Sequence, residues 1–186
     1  MIRRAGLAAL ALSLPGLAAC VSAPQGYVPV AQAEAPVFDP FTFFAGRSTG
    51  TGTLAKVWAA DTPVQVTSDG HIIRQTTREA SWAAPARRVL VIDQTVREGE
   101  KPARTRQWRI HEVAPGRYEG TLSDAISPVT GYTQGNLLVL EFTMKGSFKV
   151  RQELTLSPDG RHAHNVMRVS MLGVTAAVLV EDIVRD

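Results

Sequence analysis

The chain predicts an all-β fold: an antiparallel meander of eight to nine short strands closing into a barrel or half-barrel. Three observations point there. From residue 37 onward, runs of alternating apolar and polar residues recur with the period of two that sets opposite faces of a strand. Between them, turn chemistry returns at a spacing of roughly 8 to 15 residues, which suits hairpin connections. Outside the first twenty residues, no segment carries a 3.6-residue apolar period. A sheet of this size with one apolar face must close or fold over to cover that face and hide its edges.

The first element is not part of the fold. Residues 1–19 read as a signal peptide: Met-Ile-Arg-Arg is a basic start, Ala5 to Leu14 is an apolar run, and Leu17-Ala18-Ala19 precedes Cys20. Leu-Ala-Ala-Cys resembles the bacterial lipobox, in which the cysteine thiol is acylated with diacylglycerol and the bond before it is cut. Cys20 is the single cysteine of the chain, so it is the expected lipid attachment residue and no intrachain disulfide is available. Multiple acyl chains satisfy the two-signal requirement for stable anchoring. Val21 stands where aspartate would signal inner-membrane retention in enteric bacteria, which favours the outer membrane, facing the periplasm. Residues 20–36 are rich in Ala, Pro, Gln and Val, have no periodicity, and read as a lipidated cysteine and flexible tether about 20 Å in reach.

The domain then occupies residues 37–186. Thr51 to Trp58 and Val64 to Arg74 are strands flanking Asp61-Thr62-Pro63. Arg88 to Val96, Arg104 to Val113 and Tyr118 to Asp124 follow, joined around Glu98-Gly99-Glu100 and Ala114-Pro115-Gly116. The clearest hairpin runs from Leu137 to Leu156: Leu138, Leu140, Phe142 and Met144 share a face, and after Lys145-Gly146 so do Phe148, Val150, Leu154 and Leu156. Lys149, Arg151, Glu153 and Thr155 face the other way. Ser157-Pro158-Asp159-Gly160 is a turn on its chemistry. The next strand sets Ala163, Asn165, Met167 and Val169 against His162, His164 and Arg168, and after Gly173 a last strand runs from Val174 to Val184.

Composition bounds the function classes. The 186 residues carry 20 Lys plus Arg and 17 Asp plus Glu, a net charge of +3. Removing residues 1–19 takes Arg3 and Arg4 and no acidic residue, leaving +1 from 18 basic and 17 acidic residues, too little to argue for nucleic acid. The usual catalytic signatures are missing: there is no Gly-x-Ser-x-Gly elbow, no His-Glu-x-x-His and no phosphate loop. The expectation from the residues is accordingly not an enzyme, and no cofactor or metal is implied. His162 and His164 share a strand face and could offer two metal ligands, with His111 or a carboxylate as the third, although a solvated face explains them more simply.

Polar residues on otherwise apolar faces are more informative. Arg106 shares a face with Trp108 and Ile110, Gln152 with Val150 and Leu154, Asn165 with Ala163 and Met167, and Asp124 with Tyr118 and Leu122. An unpaired buried polar group costs about 1 to 3 kcal/mol, so these groups must find partners. Two readings stay open. One is a self-satisfied core network, for example Arg106 with Asp124. The other is a cup walled by Trp108, Tyr118, Phe142 and Phe148, in which Arg106 and Asn165 orient a ligand's head group, making Arg106, Trp108, Tyr118 and Asn165 the candidate ligand-binding residues.

Several fragments together resemble a bacterial lipoprotein family, that of the domain of unknown function 3833. They are Phe41-Thr42-Phe43-Phe44-Ala45-Gly46 with Gly50-Thr51-Gly52, Thr105-Arg106-Gln107-Trp108, Arg117-Tyr118-Glu119-Gly120, Gly135-Asn136, and Asn165-Val166-Met167 through Leu172-Gly173-Val174. The resemblance implies a secreted lipoprotein with a lipocalin-like β domain, and no activity comes with it. An aspartate pair with tryptophan expected late in that pattern is replaced here around Gln152-Glu153-Leu154.

These readings converge on a lipid-anchored cell-envelope lipoprotein that binds or carries a small apolar or amphiphilic ligand in a β-barrel. The alternative is an envelope structural or assembly lipoprotein that docks a protein partner and holds no small molecule. The expected partners are thus the membrane through the N-terminal anchor and either a small hydrophobic ligand or an envelope protein. Oligomeric state is not indicated.

Overall fold

The computed structural model describes residues 21–24, 28–75 and 86–186. Residues 1–20, which hold the expected signal peptide and Cys20, and residues 25–27 and 76–85 lie outside the described residues. A single helical turn, α1 (Pro40–Phe43), is followed by ten strands: β1 (Gly46–Lys56), β2 (Thr62–Gln75), β3 (Arg87–Glu98), β4 (Arg104–Ala114), β5 (Arg117–Leu122), β6 (Val129–Gln134), β7 (Leu137–Met144), β8 (Phe148–Leu156), β9 (His162–Met171) and β10 (Val174–Arg185). Each strand pairs antiparallel with the next, and β1 pairs with β10, so the sheet is a closed barrel. Closure removes both sheet edges, as the expected meander required.

Two elements differ from expectation. The tenth strand is β6, Val-Thr-Gly-Tyr-Thr-Gln, in which only Val129 is fully buried, so no apolar alternation marks it in the sequence. The helix α1 is one turn long and cannot display a period. Its start is set by chemistry instead: Asp39 accepts from the Phe41 amide at 2.9 Å, and Pro40 occupies a first-turn position where no amide is needed.

The barrel's inward parity is consistent around the ring. Leu90 and Ile92, Trp108 and Ile110, Leu138, Leu140 and Phe142, Val150 and Leu154, Ala163 and Ile183 form one core with Phe38, Phe41, Phe43 and Phe44. The phenylalanines of α1 and its flanks thus plug one end, called here the base. Gly70 permits the plug to seat, because a Cβ there would overlap the Phe44 carbonyl oxygen. The opposite end, the rim, carries the β1–β2, β3–β4, β5–β6, β7–β8 and β9–β10 turns.

Among the described residues of the segment expected as a tether, Val21, Ala31 and Ala33 are bonded to the barrel. The Val21 amide donates to the Thr175 carbonyl at 3.4 Å, at the rim. At the base, Asn136 accepts from the Ala33 amide at 2.7 Å and donates to Ala31 and Leu156 carbonyls. Val139, Val166 and Val178 point outward yet are buried.

Candidate functional site

Midway along the barrel, the interior turns polar. Strands β1, β2, β3, β4, β8, β9 and β10 direct Ser48, Ser68, Gln94, Arg106, Gln152, Asn165 and Glu181 inward by the same parity that buries their apolar neighbours. Gly50 makes the space for Glu181 across the β1–β10 ladder, since a Cβ at Gly50 would overlap the carboxylate oxygen Oε1. Gln94 organises one side: its Oε1 accepts from Arg106 Nε at 2.9 Å and from Trp108 Nε1 at 2.7 Å, while its Nε2 donates to Ser68 at 2.9 Å. The Arg106 guanidinium also lies 5.6 Å from the Trp108 ring centroid.

On the other side, Asn165 Nδ2 donates to Glu181 Oε2 at 2.9 Å. The remaining oxygens are unmatched. Glu181 Oε1, Asn165 Oδ1, Gln152 Oε1 and Ser48 Oγ are buried without a hydrogen-bond partner. Burial pushes the Glu181 carboxyl above the ordinary carboxylate range, against the pull of the Asn165 hydrogen bond and the charge of Arg106. Burial also pushes the Arg106 guanidinium down from its usual value, helped by Arg104 and opposed by Glu181 and Asp124. A guanidinium keeps its proton regardless.

A cavity of about 30 Å³ adjoins this cluster, bordered by Gln94, Arg106, Trp108, Gln152 and Glu181 and, from the plug, by Pro40 and Phe44. That is room for one or two waters. The interior is therefore largely packed, with a small polar void at its centre. Trp108 is 4% exposed and stands edge-on to Phe142, ring centroids 5.4 Å apart.

Of the four sequence-predicted residues, Arg106, Trp108 and Asn165 meet at this cluster. Tyr118 does not: it packs under the plug, 6.4 Å from the Phe41 ring, and lines an open groove of about 700 Å³ at the base with Arg87, Arg88 and Glu112. The suggested Arg106–Asp124 pairing does not form either. Asp124 lies 3.7 Å from Arg104, and Arg106 turns inward to Gln94. Sequence reasoning missed Glu181 and Gln94. His162 and His164 are held on the outer wall by Asp159 at 2.5 Å and Asp182 at 2.6 Å, and no cluster of three or more metal-ligating side chains occurs among the described residues.

The barrel is similar to a solved structure of an S-type phycobiliprotein lyase from Guillardia theta. The TM-score is 0.53 at 10% identity, covering 78% of this chain and 90% of that one. At that identity the likeness is one of fold, and it is the lipocalin-like fold expected. It also corrects the expectation that the chain is not an enzyme: a barrel of this architecture is described as a lyase, so the missing sequence motifs do not exclude catalysis. A comparison with curated proteins finds no match. The family model described as a protein of unknown function, DUF3833, matches residues 16–159, a span that takes in Cys20, the plug and strands β1 to β8, and the chain therefore belongs to the DUF3833 family.

Proposed function

We propose that this protein is a lipid-anchored envelope lipoprotein whose barrel binds a small molecule by a donor-bearing polar end, a hydroxyl or an ammonium. The observation that carries this is a pair of buried oxygens without a hydrogen-bond partner, Glu181 Oε1 and Gln152 Oε1, on side chains that line the small cavity, with Asn165 Oδ1 next to them through the bond of Asn165 to Glu181. Buried polar atoms without partners are costly: Gln152 and Asn165 offer oxygens that only accept, whereas the Glu181 carboxyl, whose pKa burial raises, also donates while protonated, so a hydroxyl, which does both, satisfies the set, and an ammonium does so once Glu181 gives up its proton. Arg106 borders the cavity and disfavours a second cation next to it, so a hydroxyl or a single amine fits better than a polyamine. Trp108, Ile92, Ile110, Leu138 and Leu140 supply the apolar wall for the rest of an amphiphile.

The packed interior argues against a bulky cargo held in a standing cup. A ligand larger than the cavity displaces Pro40 and Phe44, the lining residues that belong to no strand and are held mainly by side-chain packing. Acylation at Cys20 and residence on the outer membrane, facing the periplasm, are part of the same proposal. The lipobox supports them, and the family match beginning at residue 16 includes it.

Native mass spectrometry of the purified protein, with organic extraction, tests the binding reading. A stoichiometric hydroxylated or amine-bearing amphiphile, lost in Glu181→Gln and in Asn165→Ala, is the expected result. A clean apo mass in the wild-type protein would remove it. A bound molecule recovered in chemically altered form after incubation would identify a reaction on the same site.

A further inference from the structure

The rim of the barrel is unlike the rest of the surface. Trp58, in the β1–β2 turn, is 94% exposed, and Leu172, in the β9–β10 turn, is 95% exposed. Strands β1 and β10 are ladder partners, so these two turns are neighbours: Val57 donates to Ala176 at 3.0 Å, and Val174 pairs with Met171 beneath Leu172. Met171 and Val174 add further exposed apolar surface to the same patch.

The backbone supports this exposure at a cost. Trp58 and Leu172 have φ of 56° and 51°, the left-handed region that bulky side chains rarely adopt. Glycine or asparagine would serve either turn with less strain. Two large apolar side chains held in strained turns and aimed at solvent add nothing to the packing of the barrel, and strain of this kind collects at functional positions.

The chain itself says what covers the patch. Val21 is hydrogen-bonded to Thr175, in the strand just after the Leu172-Gly173 turn, and Cys20 is the next residue toward the N-terminus. One peptide unit spans about 3.8 Å, so the bond from Val21 to Thr175 ties the start of the mature chain expected from the lipobox to this rim. The neighbouring β7–β8 turn presents Lys145, with Lys149 close behind it on β8, while the β9–β10 turn carries no acidic residue and the β1–β2 turn carries one, Asp61, so the two lysines outweigh it, which suits an anionic lipid face. Tryptophan prefers the headgroup boundary of a bilayer.

We propose that the rim formed by the β1–β2 and β9–β10 turns is a membrane-insertion surface, with Trp58 and Leu172 entering the headgroup boundary of an anionic bilayer beside the lipidated Cys20. The domain then sits directly on the membrane with its plugged base pointing away, instead of standing off on a tether. The proposal rests on the anchor reading for the position of the acyl chains.

The test uses the mature protein purified from its membranes and reconstituted into vesicles of phosphatidylethanolamine and phosphatidylglycerol. Tryptophan emission is compared between ordinary and brominated lipids, and Trp58→Phe assigns the Trp58 component by difference. At least half of that component is expected to be lost to the brominated lipids, and in a Trp82→Phe background, where Trp108 is the one other emitter, buried Trp108 keeps its emission. Protein that floats with the vesicles but shows no quenching of Trp58 would leave the anchor and overturn the rim proposal. So would crosslinking that finds Trp58 covered by a second copy or another protein. If intact mass shows no acyl chain on Cys20, the anchor reading falls, and titration with added vesicles then decides the rim alone by the same quenching criterion.

Discussion

Glu181 is the side chain whose charge state owes most to its surroundings. Its carboxyl is raised above an unfolded value near 4.3, chiefly by burial, so the folded chain holds a proton that the unfolded chain releases. Stability from this group is present at low pH and is lost as pH climbs through the unfolded value toward the folded one. Glu181→Gln, which keeps an acceptor for Asn165, should therefore be the more stable protein at pH 7 to 8, by about 1–3 kcal/mol, and match the wild type below about pH 4. Urea midpoints across that range read the difference directly. At Trp108, truncation to alanine should cost about 3–5 kcal/mol, because the indole is core and hydrogen-bonded to Gln94. A loss well below this in denaturant would mean the site relaxes around the void. Arg106, Trp108 and Asn165 were legible as polar or aromatic residues on apolar faces. Glu181 was not, because Glu181-Asp182 sets two acidic residues side by side and only pairing with β1 decides which one turns inward. Gln94 was hidden similarly, behind Val89-Leu90-Val91-Ile92, a run buried on both faces that carries no phase.

At the scale of elements, the plug and its seat form one unit. Gly70→Ala should unseat α1, since the new methyl group overlaps the Phe44 carbonyl, and destabilise the fold by about 1–3 kcal/mol. Hydrogen exchange should then accelerate at the Phe43 and Phe44 amides, which bond to Asp39 and Pro40, before it does in the strands. Uniform protection after the substitution would show that the plug had repacked. Asn136 plays the corresponding part for the N-terminal segment. Asn136→Ala removes its bonds to Ala31, Ala33 and Leu156, and should raise exchange at Ala33 with a loss of about 1–3 kcal/mol. Strands with one wet face, such as β7 and β8, could be read from alternation alone. The plug could not, because a four-residue helix has no period and its phenylalanines look like any apolar run. Strand β6 escaped because Gly131 and three hydroxyl-bearing residues give it no apolar face; Gly131 is there to admit the Leu140 side chain.

For the whole molecule, barrel closure was legible as a requirement of edge hiding, whereas the partner of β1 was not, since nothing in local sequence couples residues 46–56 to residues 174–185. That single long-range ladder shapes how the protein comes to be folded. Every other ladder among the described strands joins sequence neighbours and can zip as the chain emerges. Strand β1 is made first yet pairs on one side with β10, so from Ser48 to Lys56 it keeps an unsatisfied backbone row until residues 177–185 arrive. The same wait delays Glu181, whose pocket is walled by Gly50. The barrel therefore lacks its sealing ladder until the last strand is made, and it becomes a sealed body only when β10 joins β1.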